Sequence, residues 1–266
     1  MKVAIVHYHL QSGGVTRVIE NTILAWTLSG ADIDTVTLSG RPYDGSLLGK
    51  TEVVEGLDYA NSENAINPDI LTKRMEESAS KALGQVPDIW HIHNHSLGKN
   101  SSLTAAVALL AQKGQSLLLH PHDFAEDGRP DNFLSLKTVY NRAYPTSGRI
   151  HYAVLNQRDY LFVDELLEDS SSKVHLLANA IPSDIPKVEV STQRGSLPEN
   201  LYLYPVRAVR RKNLGELALL SMIHPDKHFA NSLGPTNPAF RPQFEEWNDF
   251  SKNHNLSVTY GLGETG

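Results

Sequence analysis

Cysteine is absent from the 266 residues. Disulfide frameworks, thiolate metal sites and cysteine nucleophiles are therefore excluded together, and a reducing compartment is permitted. Basic residues are in the minority: 24 Lys and Arg stand against 30 Asp and Glu, a formal charge of −6 at pH 7. A broad nucleic-acid footprint shows as a basic excess, so no nucleic-acid partner is expected. No apolar run approaches the ~20 residues of a membrane span. The opening Met1–Val6 is too short for a signal peptide and lacks its small-residue cleavage pattern. Internal repeats and low-complexity tracts are missing as well. These absences predict a soluble, cytoplasmic chain. What is there, 40% apolar and 20% charged residues, is ordinary for a globular protein, and the length suits one large domain or two smaller ones.

Strand-length apolar segments alternate with helix-length amphipathic ones, the pattern of a parallel sheet covered by helices. Val3 to Tyr8 is an apolar run, Gln11-Ser12-Gly13-Gly14 breaks it, and Val15, Val18, Ile19, Ile23 and Trp26 recur at helical spacing. A second helix follows Asn100, with Ser101 and Ser102 as its expected caps. Further strands are expected at Ile33–Leu38, Ile89–His93, Ser116–His120, Ile150–Leu155 and Val174–Leu177. The expected fold class is α/β: a doubly wound, Rossmann-like parallel sheet of about six strands, followed by the start of a second Rossmann-like domain. Pro182, Pro186 and Pro198 mark a break. The expected division is a first domain over 1–185, a linker over 186–200 and an incomplete second domain over 201–266. In the last, Leu201–Tyr204 reads as a strand, Leu214, Leu217 and Ala218 as a helix, Phe244 and Trp247 as another, and the alternation Leu256, Val258, Tyr260, Leu262 as a final strand.

Three features carry chemistry. Gly13 and Gly14 stand between a strand and a helix N-terminus, where backbone N–H groups face an anion; a turn that needs positive φ explains the pair equally well. Seven of the 12 histidines, at 7, 9, 91, 93, 95, 120 and 122, fall at carboxyl ends of expected strands, the ligand edge of an open α/β sheet. Strand alternation places His91, His93 and His95 on one face. Such a cluster suits a zinc or binuclear metal site, or a polyol-binding cleft, and any single histidine is more often a strand-end group bonded to a loop carbonyl. Against metal, the later strand ends offer Asn156, Gln157, Arg158 and Asn179 rather than carboxylates. The third feature is Arg207, Arg210, Arg211 and Lys212 between a strand and a helix, a group suited to a phosphate or diphosphate, although short basic runs are commonly just solvated.

Together these segments resemble the retaining nucleotide-sugar glycosyltransferases of GT-B architecture, in the large group that includes sucrose and mannosyl transferases. The matching pieces come in order: Gly13-Gly14 after the first strand, Asp88 to His93 as the D-I-x-H-x-H strand, His122-Asp123 at a strand end, Leu176 to Ile181 as the crossing element, and Arg207 with Lys212-Asn213 as the phosphate motif. The chain departs from the pattern at Ala178, where proline is expected, at Ala180, where glycine is common, and at Pro205, where a glycine often stands.

The resemblance implies an N-terminal acceptor domain and a C-terminal donor domain facing each other across a cleft. Arg207 and Lys212 would bind the donor diphosphate, and Gly13 and Gly14 would lie against it or against the acceptor. His122 and Asp123 would be catalytic, His122 beside the anomeric centre, with Asn94 and His95 on the acceptor. Transfer would be retaining and metal-independent, with no cofactor, from a UDP- or GDP-sugar to a carbohydrate, lipid or small-molecule acceptor. The family's glutamate pair, seven residues apart, has no counterpart, since Glu245, Glu246 and Glu264 are not so spaced. The chain is thus expected to be truncated, inactive alone and prone to self-association through its second domain. A metal-dependent hydrolase using the histidines and a non-catalytic acceptor-binding subunit are the alternatives.

Overall fold

The computed structural model describes residues 1–11, 13–45, 49–61, 63–167, 171–181, 197–235 and 238–264. Ser12, residues 186–196 of the expected linker and the chain end at Gly266 lie outside them. The chain forms two compact units, Met1–Ile185 and Pro186–Gly266.

Unit 1 is a seven-stranded parallel sheet in the order β3-β2-β1-β4-β5-β6-β7. Its strands are β1 (Lys2–Val6), β2 (Asp34–Ser39), β3 (Lys50–Val53), β4 (Ile89–His93), β5 (Leu117–His120), β6 (Ile150–Val154) and β7 (Lys173–Leu176). The order runs outward from β1 to β3 and then returns to β4, so the topological switch point lies between β1 and β4. Six of the strands are the expected ones. The seventh, β3, is a polar edge strand of Lys-Thr-Glu-Val with most residues exposed, which leaves no apolar run to read.

Alternation divides the sheet into two faces. Ala4, Val6, Val36, Trp90, Ile92, Leu117, Leu119, Tyr152 and Val154 point to one face. There they meet α2 (Pro68–Leu83) through Leu71 and Met75, α3 (Ser101–Gln112) through Leu103 and Val107, and α5 (Gln157–Leu166) through Val163. Val3 and Ile5 point to the other face, against Ile19 and Ile23 of α1 (Gly14–Leu28). That second face also carries an open depression lined by Ile89, Leu118, Arg149, His151 and His175. The cap of α3 differs from expectation. Asn100, not Ser101 or Ser102, accepts the N–H of Leu103 on its side chain, and the two serines lie in the first turn. The sequence reading did not name α2, α4 (Pro130–Lys137) or α5, although Leu71, Met75, Ala79 and Leu83 form a buried stripe along α2 at four-residue spacing.

Unit 2 holds a three-stranded parallel sheet in the order β10-β9-β8, with α6 (Gly215–Ile223) and α7 (Arg241–Asn253). Its strands are β8 (Leu201–Arg207), β9 (His228–Leu233) and β10 (Val258–Thr259). The sequence reading missed the central strand β9, and the expected strand over 256–262 is only two residues long. Asn231 explains the omission: this buried polar residue interrupts the apolar pattern, yet its amide donates to the carbonyls of Val206 and Leu233 and its Oδ1 accepts the N–H of Gly261. Burial is tolerated because every strong group is paired. Ala208, Leu214, Leu217, Phe229 and Tyr260 form the core.

Candidate functional site

The carboxyl ends of β1, β4 and β5 bring the histidines together. In the register, His91 faces Leu118 and His93 faces His120, so His91, His93 and His120 share the sheet face opposite Trp90 and Ile92. His91 Nε2 and His120 Nδ1 share a hydrogen bond of 3.1 Å, and His93 Nδ1 and His122 Nε2 share one of 2.8 Å. The rings stack, with the His120 and His122 centroids 4.2 Å apart. His7 lies edge-on to His93 at 6.3 Å, with His9 beyond it at 5.8 Å.

His95 leaves this group, contrary to the simple alternation. Asn94 adopts a left-handed conformation, φ 56°, which asparagine tolerates better than most residues and which ends the strand's period of two. His95 then turns toward Tyr144 and Tyr152, where its Nε2 meets the Ala143 carbonyl at 2.8 Å and the side chain is fully buried.

Asn94 itself is the joint of the edge. Its Oδ1 accepts the backbone N–H of His122 at 2.7 Å and that of Asp123 at 3.3 Å, its carbonyl accepts the Tyr8 hydroxyl at 2.6 Å, and its N–H donates to the His120 carbonyl. The buried side chain thus fixes the loop that presents His122 and Asp123. Asp123 is partly exposed and paired with Arg129, a partner six residues on that no spacing rule singles out. The sequence reading also missed Tyr59, which stands edge-on to His9 at 4.9 Å with Lys99 Nζ 5.6 Å over its ring.

Burial keeps these imidazoles neutral. Loss of solvation, reinforced at His7, His91, His120 and His122 by neighbouring rings, lowers each of the four to about 3. Burial alone lowers His95 to about 4, and His93 is held well below its usual value by burial and four surrounding histidines. At neutral pH the edge offers uncharged donors and acceptors.

Gly13 and Gly14 lie at the start of α1 in the same unit. Gly13 is extended, with φ 179°, and neither residue has the positive φ that would demand glycine. A Cβ on Gly14 would meet nothing within 4 Å, and one on Gly13 only the Gln11 carbonyl at 3.6 Å. The turn explanation therefore fails, and among the described residues no side chain caps the α1 N-terminus.

In unit 2 the cations occupy the loop after β8. Arg207 closes the strand opposite Leu233, Arg210–Lys212 form one 3₁₀ turn, and Asn213 follows with φ 46° and its amide on Glu216 at 2.7 Å. Among the described residues, no carboxylate pairs with Arg210, Arg211 or Lys212. The turn feeds α6, whose Gly215 is required by packing: a Cβ there would strike the Trp247 ring at 2.5 Å.

No family model matches the chain. The mannosylglucosyl-3-phosphoglycerate synthase of Petrotoga mobilis is 27% identical over 270 residues, which cover 90% of this chain and 51% of that protein. The chain thus spans about half the length of this curated relative. A glycosyltransferase from Rickettsia africae superposes with TM-score 0.62 at 18% identity over 97% of this chain and 67% of that one. A UDP-bound transferase from Siraitia grosvenorii gives 0.55 at 8% identity, covering 97% and 70%. An alpha-glucosyltransferase bound to UDP and DNA gives 0.54 at 15%, covering 98% and 66%. The fold is one that solved glycosyltransferases share. Among the described residues no helix is long and apolar enough to cross a membrane.

Proposed function

We propose that this chain carries the acceptor-side unit and the donor-phosphate loop of a retaining, metal-independent glycosyltransferase of GT-B architecture, using a UDP- or GDP-sugar in the cytoplasm. The observation that carries the reading is the turn Arg210–Lys212. In a chain of net charge −6, three consecutive cations stand between a strand end and a helix with no carboxylate partner among the described residues. Unpaired cations placed there suit a diphosphate, Arg by forking onto oxygens and Lys as a point charge. The likeness to the Petrotoga synthase, which runs over most of the chain, supports the same reading.

In this scheme the bond between the anomeric carbon and the donor phosphate oxygen breaks, and the nucleoside diphosphate leaves with the electron pair. Arg207 and Lys212 stabilise the charge that develops on it. An acceptor hydroxyl oxygen forms the new bond on the face the phosphate left, and its proton passes to the departing phosphate. His122 stands beside the anomeric centre as a neutral ring, and Asp123, held by Arg129, accepts from sugar hydroxyls. Asn94 and the buried His95 back the acceptor side from within, Asn94 by holding the 122–123 loop on its Oδ1, and Gly13 and Gly14 present α1 amides to an anionic group of the substrate. A hydrolase built on the histidines finds less support, because the close-set group of potential metal ligands among the described residues contains no carboxylate.

Calorimetric titration with UDP and GDP tests the proposal. One of them should bind, and Lys212→Ala should weaken that binding by about ten- to a hundredfold, the scale of a lost charge-assisted contact. Binding unaffected by the substitution would remove the assignment.

A further inference from the structure

His91, His93 and His120 bring one ring nitrogen each within 4.8 Å of one another, and all three residues are buried. His91 and His93 are two residues apart on β4, so their side chains lie on one face, and His120 stands directly opposite His93 on β5. The His91 and His120 nitrogens, 3.1 Å apart, are already near the separation of two ligands on one tetrahedral ion, about 3.3 Å for metal–nitrogen bonds of roughly 2.0–2.1 Å.

The hydrogen-bond account of this cluster does not close. His93 Nε2 is buried with no partner, as are His91 Nδ1 and His120 Nε2, the far ring nitrogens of the bonded pair. Buried polar atoms are almost always satisfied, and since each ring gives an ion one nitrogen, an ion held by His91 Nε2 and His120 Nδ1 can answer one of these orphans, His93 Nε2. We propose that His91, His93 and His120 ligate a divalent transition-metal ion of the zinc class, held as a structural tie between β4 and β5. Three imidazoles with no carboxylate and no thiolate form a borderline-soft nitrogen set, which suits zinc, cobalt or nickel and discriminates against magnesium and calcium. His122 supports the set from outside: its Nε2, 2.8 Å from His93 Nδ1, fixes the orientation of the His93 ring. The ion takes no part in the sugar-transfer scheme. It anchors the strand end from which the 121–123 loop departs.

Protein purified without a polyhistidine tag and dialysed against EDTA should take up about one equivalent of Zn²⁺ and melt at least about 5 °C higher at a hundredfold excess over Kd. Co²⁺ should give the visible absorption of a tetrahedral nitrogen site. His120→Ala should lose the uptake, the shift and the absorption; if it fails to fold, His93→Gln serves the same comparison. His151→Ala should keep all three, although His151 and His175 form an exposed pair with ring nitrogens 2.8 Å apart. No uptake by the wild-type chain, or uptake lost in His151→Ala and retained in the cluster variants, overturns the proposal.

Discussion

The strand-end edges of the two units are built from opposite materials. In unit 1 the edge is uncharged: its histidines are buried and neutral, Asp123 is neutralised by Arg129, and Arg41 by Asp58. In unit 2 the edge is a turn of cations that no described carboxylate answers. A buried neutral edge recognises through directed hydrogen bonds, which suits hydroxyl-rich molecules. An exposed cationic turn recognises through charge, which suits phosphates. The comparison teaches that the basic run of a mildly acidic protein carries more information than its overall charge.

Acidification should produce the largest difference between the edges. The edge histidines His7, His91, His93, His95, His120 and His122 have folded pKa values below the unfolded value near 6.5, so the fold is favoured by them above that pH. As pH falls from about 6.5 toward 3, the unfolded chain takes up protons that the folded edge refuses, and stability is lost. Hydrogen exchange on metal-free protein should therefore show unit 1 losing protection between pH 7.5 and about 5.5, ahead of most carboxylate titration, while unit 2, where burial lowers His228, changes less. Equal loss in both units would erase the contrast.

A smaller effect is expected from Asn94→Ala. The substitution puts alanine at φ 56° and removes the acceptor for two backbone N–H groups, so unit 1 should lose about 2–4 kcal/mol, read from denaturant unfolding. Asn94→Gly restores the backbone freedom but not the acceptor and should recover part of the loss. An unchanged midpoint for the alanine variant would mean that Asn94 is not the joint of the edge.

Much of this was legible in the sequence, for physical reasons that also explain the omissions. Strands buried on both faces leave continuous apolar runs, so β1, β4, β5 and β6 could be read directly. Edge strand β3 is polar because one side has no partner, and β9 is masked by Asn231, whose burial only the fold makes affordable. The strand-end position of the histidines was visible in their spacing. The pairing of His93 with His122 and of His91 with His120 was not, because it depends on the register between β4 and β5. The departure of His95 from its expected face turns on a single backbone angle at Asn94. Nothing in the spacing of Asp123 and Arg129 announces their ion pair.

The division of labour between the two edges is tested most directly by following backbone amides by NMR while the nucleoside diphosphate that binds is titrated into the protein. The account predicts the largest shifts in residues 207–214 of unit 2, with their loss in Lys212→Ala. Saturable shifts confined to the histidine edge of unit 1, with 207–214 unmoved, would contradict it.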